Sequence, residues 1–147
     1  MKTMRFLTAP AVGLALAAAL TAATTTGAAA TAPAVPDARA TSAVLYLTNA
    51  DHGRTVAVSV GDVIEVHLSA VRTNGATWVW IDVPAASDPN VLNRVSGGVS
   101  VNGDTDAVFS ATTAGTSDIT AYSRCVPDPG YACPAVLVPW KATVNVS

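Results

Sequence analysis

From Ala43 onward the chain alternates apolar with polar residues at a period of two, and that period admits strands and little else. Val56, Val58 and Val60 share one side of their run. Ile64, Val66 and Leu68 alternate with Glu65 and His67. Further on, Ala107, Phe109 and Ala111 repeat the pattern. Ile119 and Ala121 alternate with Asp118 and Thr120 ahead of Tyr122, and Trp140, Ala142, Val144 and Val146 carry it to the end. Ala43–Asn49 is β-branched and aromatic. Thr77–Val83 is apolar on both faces, with Trp78 and Trp80 on one of them, and is expected to lie centrally in its sheet. Trp78 and Tyr122 read as core residues.

Turn signals separate these runs. Gly61-Asp62 between two alternating segments predicts a hairpin. Pro84, Ser87-Asp88-Pro89-Asn90, Gly97-Gly98, Asn102-Gly103-Asp104 and Ala114-Gly115-Thr116 punctuate the rest, and Val91-Leu92 is a short apolar piece between two of them. About seven short strands at this spacing, with no convincing helix, predict an all-β, immunoglobulin-like β-sandwich with Greek-key connections.

The N-terminal segment follows other rules. Lys2 and Arg5 precede an Ala/Leu-rich run from Phe6 to Leu20, and small residues end in Ala28-Ala29-Ala30. A basic start, an apolar middle and a small-residue end predict a secretory signal peptide over residues 1–30, with Ala30 and Ala34 as cleavage candidates. Pro10 interrupts the apolar run, and no membrane span is expected once the signal is removed. Residues 31–42 are rich in Ala, Pro and Thr and read as a linker. Residues 43–147 then form one domain of ordinary size, expected as a monomer that is secreted or associated with the cell envelope. Removing Lys2 and Arg5 leaves six of the eight Lys/Arg against ten Asp/Glu. A mildly acidic surface without a basic stripe argues against nucleic acid and anionic membranes as partners.

Chemistry is scarce. Cys125 and Cys133 are the only cysteines, and in an oxidising compartment they are expected to form a disulfide. No metal-ligand spacing surrounds them, and no cofactor is expected. Asn102, Asp104 and Asp106 superficially resemble a calcium loop but lack its glycine and distal glutamate. His52 stands in a turn and His67 on an outward strand face, and no nucleophile elbow is present, so the chain reads as a non-enzyme.

At Val71-Arg72-Thr73-Asn74-Gly75, followed by Trp78, the sequence resembles the chagasin family of cysteine-protease inhibitors. The family's first loop reads N-P-T-T-G ahead of a core Trp. Thr73, Gly75 and Trp78 agree with it, whereas Val71, Arg72 and Asn74 depart. The family's G-x-G-G loop falls at Ser100-Val101-Asn102-Gly103, where Gly103 matches. Its Y-x-R-P-W loop begins at Tyr122-Ser123-Arg124 and then departs at Cys125 and Val126. Gly53-Arg54-Thr55-Val56 through Val60-Gly61-Asp62 and Ala114-Gly115-Thr116 resemble the family's flanking turns.

The resemblance implies an immunoglobulin-like sandwich whose three end loops occlude the cleft of a papain-like cysteine protease without a covalent step. Thr73, Asn74, Gly75 and Ala76 would approach the catalytic thiol, with Asn102, Gly103, Arg124, Val126 and Tyr131 bracing them. Tyr131 or Val126 would replace the family's aromatic residue. The alternative is a secreted immunoglobulin-like binding or envelope module without inhibition. Loops meeting at one end favour the first reading, and a polar, splayed end favours the second.

Overall fold

The computed structural model describes residues 41–147; the expected signal peptide (residues 1–30) and most of the expected linker (31–42) lie outside the described residues. Ten strands form two sheets: β1 Val44–Leu47, β2 Thr55–Val58, β3 Val63–Leu68, β4 Val71–Thr73, β5 Ala76–Trp80, β6 Ala85–Ala86, β7 Leu92–Val99, β8 Thr105–Ala111, β9 Gly115–Pro127 and β10 Leu137–Val146. One sheet has the order β1-β3-β8-β7. The other has the order β2-β10-β9-β5-β4, with β6 also pairing to β9. The only helical element among the described residues is a single 3₁₀ turn at Asn49–Asp51. The all-β sandwich expected from the alternation is the fold observed, with ten strands rather than about seven, because β4 and β6 are short and β7 carries turn-like glycines.

The alternation explains the core. Leu47, Ile64, Val66, Leu68, Leu92, Ala107 and Phe109 from one sheet meet Trp80, Ile119, Ala121, Trp140, Ala142 and Val144 from the other. The two core tryptophans also close one end of the sandwich. The indole N–H of Trp140 donates to the Thr48 carbonyl at 3.2 Å, and that of Trp80 to the Ser69 carbonyl at 3.1 Å. A buried indole N–H left unpaired would cost stability, so each ring packs and pairs at once. The Asn49 side chain completes this end, accepting from the Ser69 N–H at 2.8 Å and donating to its carbonyl at 2.9 Å. Thr105, fully buried, has its hydroxyl 3.0 Å from the carbonyl oxygens of both Asp82 and Gly98. No buried side-chain polar atom among the described residues lacks a partner.

Three expectations are corrected. Gly61-Asp62 is a turn, but it joins two sheets rather than two neighbouring strands. β2 pairs parallel with β10, whereas β3 pairs with β1 and β8. The Asp62 carboxylate holds this corner, accepting from the Ser59 N–H at 2.8 Å and the Ala43 N–H at 2.9 Å. Tyr122 is not a core residue: it is 41% exposed, because the core side of β9 is Ser117, Ile119, Ala121 and Ser123 and Tyr122 falls out of phase. The stretch from Leu92 to Val99, read as a short apolar piece followed by turn glycines, is one strand with a register irregularity between Arg94 and Ser96. β5, expected to be central, has neighbours on both sides, β9 and the three-residue edge strand β4.

Four aspartates are held as carboxylates, three at turns and Asp118 on β9 against Lys141 and Thr143 of β10. Hydrogen bonding from the Thr48 N–H holds Asp51 below its ordinary range, helped by Arg54. The Ser59 and Ala43 N–H groups do the same for Asp62, the Ala70 N–H for Asp104, and Lys141 with Thr143 for Asp118. Each has a folded pKa below its unfolded value of about 4, so its contribution is complete above that value and is lost as pH falls through the folded pKa. Thermal unfolding followed by circular dichroism should therefore show a midpoint that drops steadily below about pH 4. The Asp51→Asn and Asp104→Asn variants should show a shallower drop. An acid slope unchanged in both would contradict this assignment.

Candidate functional site: a tip built from a hairpin and a cystine loop

β9 and β5 run past the end of the sandwich. The pairing of Ala76 with Pro127, Trp78 with Cys125 and Trp80 with Ser123 carries the ladder outward from the buried Trp80 level. β4 adds to the far edge of β5 through Val71–Trp78 and Thr73–Ala76. Leu137 and Val138 of β10 pair with Arg124 and Ser123 on the other side of β9. This arm ends in the Asn74-Gly75 turn, a two-residue connection of the kind that an Asn-Gly pair favours in hairpins. Gly75 has φ +79°, a conformation strained for any residue with a Cβ.

The cystine loop folds over that turn. The Cys125–Cys133 disulfide is formed, as expected from the cysteine count. Within it, Asp128-Pro129-Gly130-Tyr131 makes a tight turn. The Tyr131 N–H donates to the Asp128 carbonyl at 3.0 Å, and Gly130 has φ +84°. Pro followed by a positive-φ Gly is the signature of a type II turn. The loop is then tied to the hairpin at three points. The Asp128 N–H donates to the Gly75 carbonyl at 2.9 Å. Arg72 Nη2 donates to Asp128 Oδ2 at 2.6 Å, while its Nη1 reaches Thr77 Oγ1 at 3.0 Å. The Tyr131 ring lies directly on Gly75: a methyl group there would stand 2.1 Å from Cδ1 and 2.5 Å from Cγ of the ring.

The residues expected to form three loops are thus distributed unequally. Thr73, Asn74, Gly75 and Ala76 come together with Tyr131 at the tip. Thr73 and Asn74 are exposed there and Ala76 is buried. Arg124 and Val126 lie on a strand, not in a loop. They pair with Val79 and Thr77, alternating with Cys125 along β9, so their side chains share the face of the arm opposite to the disulfide. Asn102 and Gly103 are at the same end but set back. The Gly103 carbonyl accepts from the Trp80 N–H at 2.8 Å. A methyl on Gly103 would stand 2.5 Å from Val79 Cγ1. Val79 is four residues down β5 from Gly75, about 13 Å along a strand.

The Asn102 side chain donates to Asp104 at 2.7 Å, and Asp104 in turn accepts from the Ala70 N–H at 2.7 Å. This turn braces the base of the arm. Among the described residues no group of three or more His, Cys, Asp or Glu could hold a metal ion. His67 is exposed, and His52 Nδ1 accepts from the Lys141 N–H at 3.1 Å, a structural bond. The contributors missed by reading the sequence alone are Arg72 and Asp128. The Asp-Pro-Gly-Tyr turn signal pointed to the loop's shape, but nothing local pointed to their pairing across 56 residues.

No protein-family model matches the sequence, and no curated protein matches it. Solved structures resemble the fold. One is the cysteine protease inhibitor EhICP2 from Entamoeba histolytica, at 15% identity and a TM-score of 0.48, over 71% of this chain and 96% of the inhibitor. In shape, this chain resembles that inhibitor. Amebosin is similar at 19% identity and a TM-score of 0.40, over 71% of this chain and 98% of its own. PbICP-C, solved in complex with falcipain-2, is similar at 12% identity and a TM-score of 0.41, over 73% and 93%.

Gly53 and Gly103 separate backbone strain from steric fit. Both have positive φ, but a methyl on Gly53 meets nothing within 4 Å, whereas one on Gly103 collides with Val79. Gly53→Ala should cost about 1 kcal/mol from strain alone. Gly103→Ala should cost clearly more in urea unfolding. Equal costs would contradict the close seating of the Asn102-Gly103 turn against β5.

Proposed function

We propose that this chain is an exported inhibitor of papain-like cysteine proteases that acts by inserting its tip into the active-site cleft, and that it is not itself an enzyme. The observation that carries the reading is the convergence of the Thr73–Ala76 hairpin and the cystine loop into one braced projection. The resemblance of Thr73, Gly75 and Trp78 to the chagasin pattern supplies the class of partner.

Occlusion needs a projection that enters a cleft without becoming a substrate. A protease acts on backbone that it can draw out into an extended form. Here the backbone at the apex reverses at Asn74-Gly75, and the Gly75 carbonyl is already bonded to the Asp128 N–H. Extending it would break the ladder, the Arg72–Asp128 pair and the Tyr131 contact together. Binding also costs little ordering entropy, because the loop is closed by the bridge and contains Pro127 and Pro129. Exposed Pro129 and Tyr131 of the cystine loop, with Asn74 of the hairpin turn, provide a small, largely uncharged contact surface, since Arg72 and Asp128 neutralise each other. Association is reversible and involves a monomer of the exported domain.

A second reading is an exported binding or envelope module that uses the outer face of the arm. Tyr122, Val126 and Leu137 are all exposed there, and the setback of Asn102-Gly103 leaves the tip with two loops rather than three. The two readings separate on inhibition of papain, and of a cysteine cathepsin, by the oxidised protein. The papain should be activated and then freed of reductant. Inhibition with an apparent Kd below about 1 μM (at least about 8 kcal/mol of binding), independent of preincubation and with the inhibitor still intact by mass, supports occlusion. No inhibition by a folded, oxidised sample supports the second reading.

A further inference from the structure

Tyr131 occupies an unusual place for a residue expected to touch a partner. Its ring covers the one glycine of the hairpin turn, in the volume where a Cβ would be, and leaves 63% of the residue exposed on the far side. Its position is set from three directions. The type II turn aims it through the Tyr131–Asp128 hydrogen bond, the Asp128 N–H and carboxylate join it to Gly75 and Arg72, and Cys133 lies two residues further on. The hairpin turn, by contrast, has little support of its own. β4 is only three residues long, exposed at every position, and forms the edge of its sheet. A short edge ribbon beyond the core is marginal in water.

We propose that Tyr131, held by the Cys125–Cys133 bridge, is a positioning residue that shapes the Asn74-Gly75 turn, so that the oxidation state of the bridge governs whether the tip is competent to bind. Reduction opens the ring that holds Asp128 and Tyr131: the Cys125–Cys133 S–S bond breaks and gains two electrons and two protons from two equivalents of an external thiol, which become joined in their own disulfide. The loop then gains conformations in which the ring leaves Gly75, and the hairpin frays. The core is untouched, because Ile119, Ala121 and Trp140 lie further down the same ladder. If the tip-competent fraction falls to a tenth, apparent affinity falls about tenfold, since binding then includes the cost of selecting that conformation. The link to affinity rests on the inhibitor reading; the link between ring and turn does not.

The test is NMR of the purified protein together with papain inhibition. The aromatic ring over Gly75 should shift its Hα resonances upfield, and amide exchange at Asp128 and Tyr131, whose N–H groups donate to the Gly75 and Asp128 carbonyls, should be slow in the oxidised protein. Tyr131→Phe keeps the ring and should preserve both features. Tyr131→Ala, and separately the Cys125→Ser/Cys133→Ser variant, should lose the upfield shift and speed exchange about tenfold or more, with Phe109 and Trp140 core signals unchanged. Inhibition should weaken by a similar factor in both. Gly75 resonances unmoved in both variants would overturn the proposal. So would loss of the Gly75 features in Tyr131→Phe as complete as in Tyr131→Ala, which would place the effect in the hydroxyl rather than in the ring. If the parent protein fails to inhibit papain, the inhibitor reading falls, and the NMR comparison still decides whether Tyr131 and the bridge shape the turn.

Discussion

The ladder formed by β9 with its neighbours is what the rest of this protein depends on. β9 runs thirteen residues from Gly115 to Pro127 and pairs with β10 over ten of them. Its other edge serves two strands in succession, β6 at Ile119-Thr120 and β5 from Ser123 to Pro127. Over the lower part, Ser117, Ile119, Ala121 and Ser123 face the opposing sheet and are buried. The same face, continued past the edge of that sheet, carries Cys125 opposite Trp78. One unbroken period of two therefore builds the core and then exports its geometry to the tip. Trp78 shows the transition: it is in phase with the buried Trp80, yet it is only partly covered because no second sheet reaches that level.

This arrangement explains why the tip needs devices that the sandwich does not. Inside the core, burial of side chains such as Phe109 and Ile64 supplies most of the stabilisation, at about 25 cal/mol per Å² of apolar surface. Beyond it, a three-stranded ribbon must be held by local means. The chain uses a covalent bridge, two prolines, an ion pair between partly exposed groups and an aromatic ring laid on glycine. The Arg72–Asp128 pair alone contributes little, as exposed ion pairs do. Its value is geometric, because it joins two segments far apart in sequence whose relative position would otherwise rest on the backbone ladder.

Much of this was legible in the sequence. The alternation of Ile64, Val66 and Leu68, of Ala107, Phe109 and Ala111, and of Trp140 to Val146 marks strands whose apolar sides are the core observed. Tyr122 reads as core because it is aromatic, although it sits one residue off Ile119 and Ala121 and so points outward. What local pattern cannot carry is partition between sheets. Gly61-Asp62 looks like a hairpin turn, and only the pairing of β2 with β10, across nearly the whole domain, makes it a corner between sheets. β7 was obscured because Gly97-Gly98 weakens strand propensity while Val83 and the β8 backbone close over Gly97. At the tip, Asn74-Gly75 and Asp128-Pro129-Gly130-Tyr131 each announce a turn. Their meeting depends on β5 and β9 being neighbours, which is a property of the whole topology.

The central claim is that the hairpin and cystine loop together form the surface that enters a protease cleft. Hydrogen-exchange mass spectrometry of the oxidised protein, alone and with inactivated papain, tests it most directly. Protection confined to peptides covering Arg72–Ala76 and Asp128–Cys133, with β1, β3 and β8 unaffected, is the predicted result. Protection on the outer face of β9 and β10 around Tyr122 and Leu137 with none at the tip, or no protection anywhere, would contradict the account.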